Sequence, residues 1–133
     1  MHTILFLCPH GGAKSVIASS YFNRLAEEHG LPCASTAAAA EEPYDAVPPP
    51  VAAFLEEEGF DVRAYTPRRV QPEDVRLAAK VVSIDCDLTN VDVPDAALAR
   101  WDDVPMASVD LDASVAAIRR HVEELVAELH GRR

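Results

Sequence analysis

Apolar positions along this chain follow two patterns that alternate. Thr3 to Leu7 (T-I-L-F-L) is continuously apolar after its first residue, as a strand buried on both faces of a parallel sheet requires. From about Lys14 to Glu28, Val16, Ile17, Phe22 and Leu25 are available for burial on one helix, and Gly30 stops it. Leu31 to Ala37 reads as a second strand and Ala38 to Ala46 as a loop. Pro48 to Pro50 lead into a helix carrying Val51, Phe54 and Leu55, closed by Gly59. Pro72 opens a short helix, P-E-D-V-R-L-A-A, and Lys80 to Asp85 (K-V-V-S-I-D) reads as a third strand. After a turn-rich loop from Asp87 to Pro94, a short helix and a fourth strand around Pro105 to Val109 are predicted. The clearest helix runs from about Ala113 to Leu129, with Val115, Ile118, Val122, Leu125 and Leu129 at three- and four-residue spacing.

Strands alternating with helices predict an α/β fold with right-handed crossovers and a small parallel sheet covered on both faces. In such sheets ligands sit beyond the carboxyl ends of the strands. Cys8, Cys86 and the loop after Trp101 all fall at or near such ends, which points to one shared site.

Length and composition narrow the class. The 133 residues suit a single domain spanning 1–133, and an apolar fraction of 49% excludes a wholly disordered chain. No apolar run approaches the ~20 residues of a membrane span, and the first residues lack a basic, signal-like start, so a cytoplasmic location is expected. The net charge of −10 opposes nucleic acid or anionic membranes as partners. Any anion site must therefore make its own positive field. Three widely spaced cysteines form no disulfide framework, and neither they nor the scattered histidines have the spacing of a metal site. No metal and no cofactor is expected.

The eight residues C-P-H-G-G-A-K-S, Cys8 to Ser15, carry the candidate chemistry. Against the nucleotide pattern G-x-x-x-x-G-K-[ST], Lys14-Ser15 fits, but Cys8 and Ala13 occupy the glycine positions and remove its geometric basis. Against the thiolate loop C-x5-R-[ST], Cys8 and Ser15 fit and Lys14 stands where arginine belongs. A strand-to-helix turn directs backbone N–H groups and the helix dipole at one spot, favourable to an oxyanion. Gly11 and Gly12 permit the backbone angles of such a cradle, so His10, Gly11, Gly12, Ala13, Lys14 and Ser15 are its candidate oxyanion-binding residues. A cysteine opening the loop shares the positive field, which favours its nucleophilic thiolate, and Ser15 can donate a hydrogen bond to it. The plainer alternative is a small buried residue at a strand end before an ordinary glycine turn.

The segment I-L-F-L-C-P-H-G-G-A-K-S-V-I-A resembles the opening of the low-molecular-weight protein tyrosine phosphatases and of the thioredoxin-coupled arsenate reductases that share their fold. The likeness continues through Ser35-Thr36-Ala37, P-P-P-V-A-A-F-L-E-E-E-G-F-D, T-P-R-R-V, A-K-V-V-S-I-D-C and W-D-D-V-P. It implies a three-layer α/β sandwich with a four-stranded parallel sheet. It also implies Cys8 as the attacking nucleophile, Ser15 as its stabiliser, and Asp103 or Asp102 as the acid that protonates the leaving oxygen. Cys86 matches the second thiol of the reductases, while their third falls here on Val93-Pro94.

This chain departs from the family where an oxyanion is gripped. Lysine offers a point charge where arginine offers a planar fork, a loss of about 1.5–3 kcal/mol, or roughly 10- to 150-fold in rate. Gly12 replaces an asparagine that braces the loop, which predicts a looser cradle. A valine interrupts the Asp-Pro pair of the acid loop, and no aromatic residue follows it to wall a phenyl ring. Chain length and Cys86 lean the resemblance towards arsenate reduction, with a thioredoxin-like protein or small thiol as reductant. Phosphomonoester hydrolysis is the alternative, and a binding or redox-sensing protein with weakened turnover is a third. Phosphate, arsenate or a similar oxyanion is the ligand in all three. Cys33 reads as core, and His121 and His130 as surface residues of the last helix.

Overall fold

The structure is a computed structural model that describes residues 2–131. The apolar run near the start forms β1 (His2–Cys8), and every residue from Ile4 to Cys8 is buried. Such a strand needs neighbours on both edges and cover on both faces. It has them: β2 (Cys33–Ala39) pairs on one edge and β3 (Lys80–Ile84) on the other, both parallel. A fourth parallel strand, β4 (Leu98–Trp101), lies beyond β3 and completes the order β2-β1-β3-β4. The four-stranded α/β sandwich expected from the sequence is therefore the observed fold.

Alternation along β1 divides the core. Ile4, Phe6 and Cys8 face one layer with Val82 and Ile84, covered by α1 (Lys14–Glu28), α2 (Pro49–Glu57) and α4 (Leu111–Gly131). Leu5 and Leu7 face the other with Val81 and Cys86, under α3 (Pro72–Leu77) and the loop after β3. Phe6 sits at the centre of the larger core, edge-on to Phe22 and tilted against Trp101. Truncating a fully buried phenylalanine costs about 3–5 kcal/mol, so Phe6→Ala should damage this layer severely.

β4 is where the pattern misleads. The predicted strand around Pro105–Val109 is a turn-containing loop, and the true strand is L-A-R-W, entered through a single 3-10 turn at Asp95–Ala97. An edge strand of four residues with an arginine in it carries too little apolar signal to announce itself. Pro105, with no N–H, is poorly suited to a ladder.

The order 2-1-3-4 reverses direction of winding between β1 and β3, and their carboxyl ends flank the cleft that this leaves. Cys8 ends β1; Asp85 and Cys86 follow β3.

Candidate active site

The turn after β1 is built so that its carbonyls are spoken for and its N–H groups are not. Cys8 O accepts from Ala40 N–H at 3.0 Å, Pro9 O from Glu41 N–H at 2.9 Å, and His10 O from Tyr44 N–H at 3.0 Å. Gly11 O accepts from the Tyr65 hydroxyl at 2.6 Å. The backbone N–H groups from His10 to Ser15 have no acceptor among the described residues. Carbonyls tied outward and donors left over at a helix N-terminus make a concavity suited to an oxyanion. Gly11 holds φ +66, and a Cβ there would stand 2.9 Å from Ala39 N, so only glycine fits this corner.

Cys8 Sγ lies 3.1 Å from Ser15 Oγ, both buried, with Ser15 in the first turn of α1. A hydroxyl beside a sulfur at a helix N-terminus can donate to the thiolate and stabilise it. These two residues are brought together as the sequence suggested.

Lys14 is not. Its ammonium donates to Asp85 Oδ2 at 2.9 Å, so the charge expected on the anion is shared with a carboxylate. Asp85 reaches it from a left-handed backbone, φ 55, immediately after β3. Lys14 also borders the cavity described next, and its ammonium has further donors to spend there.

A cavity of about 410 Å³ opens on Cys8. His10, Gly12 and Ala13 form its loop side, and Tyr44, Pro50 and Met106 part of its apolar wall. The His10 and Tyr44 rings pack at a tilt of 32°, centroids 4.7 Å apart, with His10 Nδ1 2.8 Å from Glu42 O.

The acid expected from the late loop faces elsewhere. Asp103 accepts from Arg120 at 3.0 Å and pairs with His121 Nε2 at 2.7 Å, both on α4. The His121 hydrogen bond holds its carboxyl below the ordinary range, which suits an ion-pair anchor rather than a proton donor. His121 in turn stacks on Trp101, centroids 4.7 Å apart, so it is an anchoring residue and not a free surface one. Asp102 is exposed, and neither aspartate lines the cavity; Met106, Ala107 and Ser108 do. The physical reason is that Arg120 and His121, both on α4, draw Asp103 away.

Cys86 belongs to the opposite layer, among Leu5, Leu7 and Val81, and does not line the cavity. Burial pushes its thiol up to about 12. Tyr65 was invisible in the sequence as a site residue: a lone tyrosine in a loop has no spacing signal. Its hydroxyl braces the loop by donating to Gly11 O. Burial, and after it the nearby Cys8, push its hydroxyl up to about 12, so it stays a donor through neutral pH.

Among the described residues no group of three or more His, Cys, Asp or Glu is arranged to hold a metal ion. No helix described is long and apolar enough to cross a membrane.

A cysteine thus ends the first strand of a parallel α/β sandwich and is followed by an N–H-lined turn. The model of the low molecular weight phosphotyrosine protein phosphatase family matches residues 3–98, and the chain belongs to that family. No curated protein matches it in sequence. Among solved structures, YfkJ from Bacillus subtilis is similar with TM-score 0.85 at 18% identity, over 100% of this chain and 97% of that one. A thioredoxin-dependent arsenate reductase from Corynebacterium glutamicum is similar with TM-score 0.82 at 18% identity, over 100% of this chain and 64% of that one. An arsenate reductase from Archaeoglobus fulgidus is 27% identical with TM-score 0.73, over 93% of this chain and 98% of that one. The first two identities speak for the fold alone.

Proposed function

We propose that the protein is a Cys8-dependent phosphomonoesterase acting on an organic phosphate, with modest turnover. The observation that carries this reading is the apolar cavity beside Cys8. Its 410 Å³ lies in the usual range of roughly 300–1,000 Å³ for small-molecule sites and far exceeds what a bare tetrahedral oxyanion fills. Tyr44, Pro48, Pro50 and Met106 line it, and Tyr44 offers an aromatic wall where none follows Asp103.

In this reading the Cys8 thiolate attacks phosphorus while Ser15 steadies the sulfur. Charge building on the phosphoryl oxygens meets the N–H groups from His10 to Ser15. The alcohol leaves, and water then hydrolyses the phosphocysteine. Turnover is held down by Lys14, which lacks the arginine fork and shares its charge with Asp85.

Arsenate reduction is the second reading, favoured by one observation: Cys86 is a free thiol just past β3, the strand beside Cys8. There, the Cys8 thiolate displaces one arsenate oxygen, which leaves protonated as water; deprotonated Cys86 then attacks the Cys8 sulfur, and arsenite departs with the S–As bonding electrons as the disulfide forms. A thioredoxin-like protein or small thiol reduces that disulfide. Cys86 must leave its buried layer for this to happen. A third reading, oxyanion binding without turnover, draws on the Lys14–Asp85 pair.

One assay separates the three: para-nitrophenyl phosphate hydrolysis and thiol-dependent arsenate reduction on the same sample, with Cys8→Ser as blank. Hydrolysis above the blank is expected. Arsenate reduction that disappears in Cys86→Ser favours the second reading, and phosphate binding without either activity favours the third.

A further inference from the structure

The cavity has a nucleophile and an oxyanion cradle but no carboxylate to protonate a leaving group. We infer that His10 is the proton-transfer residue of this site, acting through Nε2; the inference rests on the phosphomonoesterase reading above.

His10 Nδ1 lies 2.8 Å from the backbone carbonyl of Glu42, and a carbonyl only accepts, so Nδ1 carries the proton of that hydrogen bond. Nε2 is then the nitrogen available for proton transfer, and it makes no hydrogen bond among the described residues. The ring is held from two sides, by Glu42 O and by a tilted packing contact with Tyr44. It borders the cavity two residues after Cys8. Cys8, Lys14 and Tyr44 are the other titratable groups on that wall. The first is the nucleophile and the second is paired with Asp85, while Tyr44 packs at a tilt against His10 itself. The late loop, which brings Met106 to the cavity while Asp103 turns to α4, leaves the proton to His10.

The proton balance closes within the site. As the S–P bond forms and the P–O bond to the alcohol breaks, the protonated Nε2 gives its proton to the departing oxygen. Water then attacks phosphorus and yields a proton to Nε2, the S–P bond breaks, and the Cys8 thiolate and protonated His10 return. No external oxidant or reductant takes part.

The test uses leaving groups of different basicity. Dinitrophenolate departs without a proton, whereas phenolate from phenyl phosphate needs one. His10→Asn keeps a donor for Glu42 O and removes the Nε2 function. It should lose about a hundredfold in kcat/KM on phenyl phosphate, within the ~10²–10⁴ worth of general acid catalysis, and much less on dinitrophenyl phosphate. Inhibition by inorganic phosphate should stay within about threefold of wild type, because the backbone cradle remains. Equal losses on both substrates would overturn the role and leave His10 a structural residue. Should the variant not fold, wild type alone decides: assisted departure gives kcat/KM values within about tenfold across the two substrates, and unassisted departure a far steeper fall. Wild type with no hydrolysis of either substrate above Cys8→Ser removes the phosphomonoesterase reading itself, and this role with it.

Discussion

Cys8 and Cys86 end up at the carboxyl ends of adjacent strands, yet the fold treats them as different chemical species. Cys8 faces the cavity side, hydrogen-bonded to Ser15 at the start of α1. Cys86 lies under the other face of the sheet among aliphatic side chains, and burial pushes its thiol up to about 12. Strand alternation and one helix start account for the difference. The lesson is that two thiols at adjacent strand ends can face opposite layers, one bordering a cavity and the other packed among aliphatic side chains.

The largest expected effect breaks that comparison outright. Cys8→Ser should lower aryl phosphate turnover by about three orders of magnitude or more, the scale of losing a nucleophile. Cys86→Ser should leave it within about twofold, because Cys86 does not border the cavity. Comparable losses in both variants, read from steady-state rates, would mean that the two thiols work as one unit.

Next comes the charge beside Cys8. Asp85→Asn keeps a residue type that tolerates the left-handed backbone at φ 55 and frees the Lys14 ammonium. Inorganic phosphate should then bind about tenfold more tightly, the worth of a charge-assisted hydrogen bond of roughly 1.5 kcal/mol. Calorimetric titration showing unchanged affinity would place Lys14 outside the anion's reach.

Tyr65→Phe tests the brace on the loop. It deletes the 2.6 Å hydrogen bond to Gly11 O and should cost about 1 kcal/mol of stability and several-fold in kcat/KM. Denaturant unfolding unchanged by the substitution would show that the loop holds its shape without it.

The smallest effect concerns the anchor of the late loop. Asp103 has its carboxyl held below the ordinary range by His121, so its contribution is fully present above about pH 4, the unfolded value. That contribution disappears as pH falls through the lower folded value. Asp103→Asn should thus lower the melting temperature slightly at pH 7 and not at all in strong acid. Because the carboxylate is more than half exposed, a shift of about 1–3 °C is the scale to look for.

How much of this the sequence carried depends on the kind of interaction. β1, α1 and α4 were legible because burial on two faces or one stripe writes a period into the chain. β4 was not, since four residues at an edge leave no period. Within the site, Cys8, Gly11 and Ser15 lie within eight residues, and local spacing exposed them. The Lys14–Asp85 pair, the Tyr65 brace and the turning of Asp103 to α4 are contacts between segments far apart in sequence. Nothing in the spacing of those residues specified which partner each would find. Asp103 shows the difference most plainly: its place after Trp101 was read correctly, and the side chain's direction was decided by Arg120 and His121.

The central claim is that Cys8 sits in an oxyanion cradle and Cys86 does not. Iodoacetamide modification at neutral pH, followed by peptide mapping with and without inorganic phosphate, measures both thiols in one experiment. Cys8 should react much faster than Cys86, and phosphate should slow it saturably while leaving the Cys86 rate as it was. A Cys8 rate untouched by phosphate, or a Cys86 that reacts first, would contradict the account.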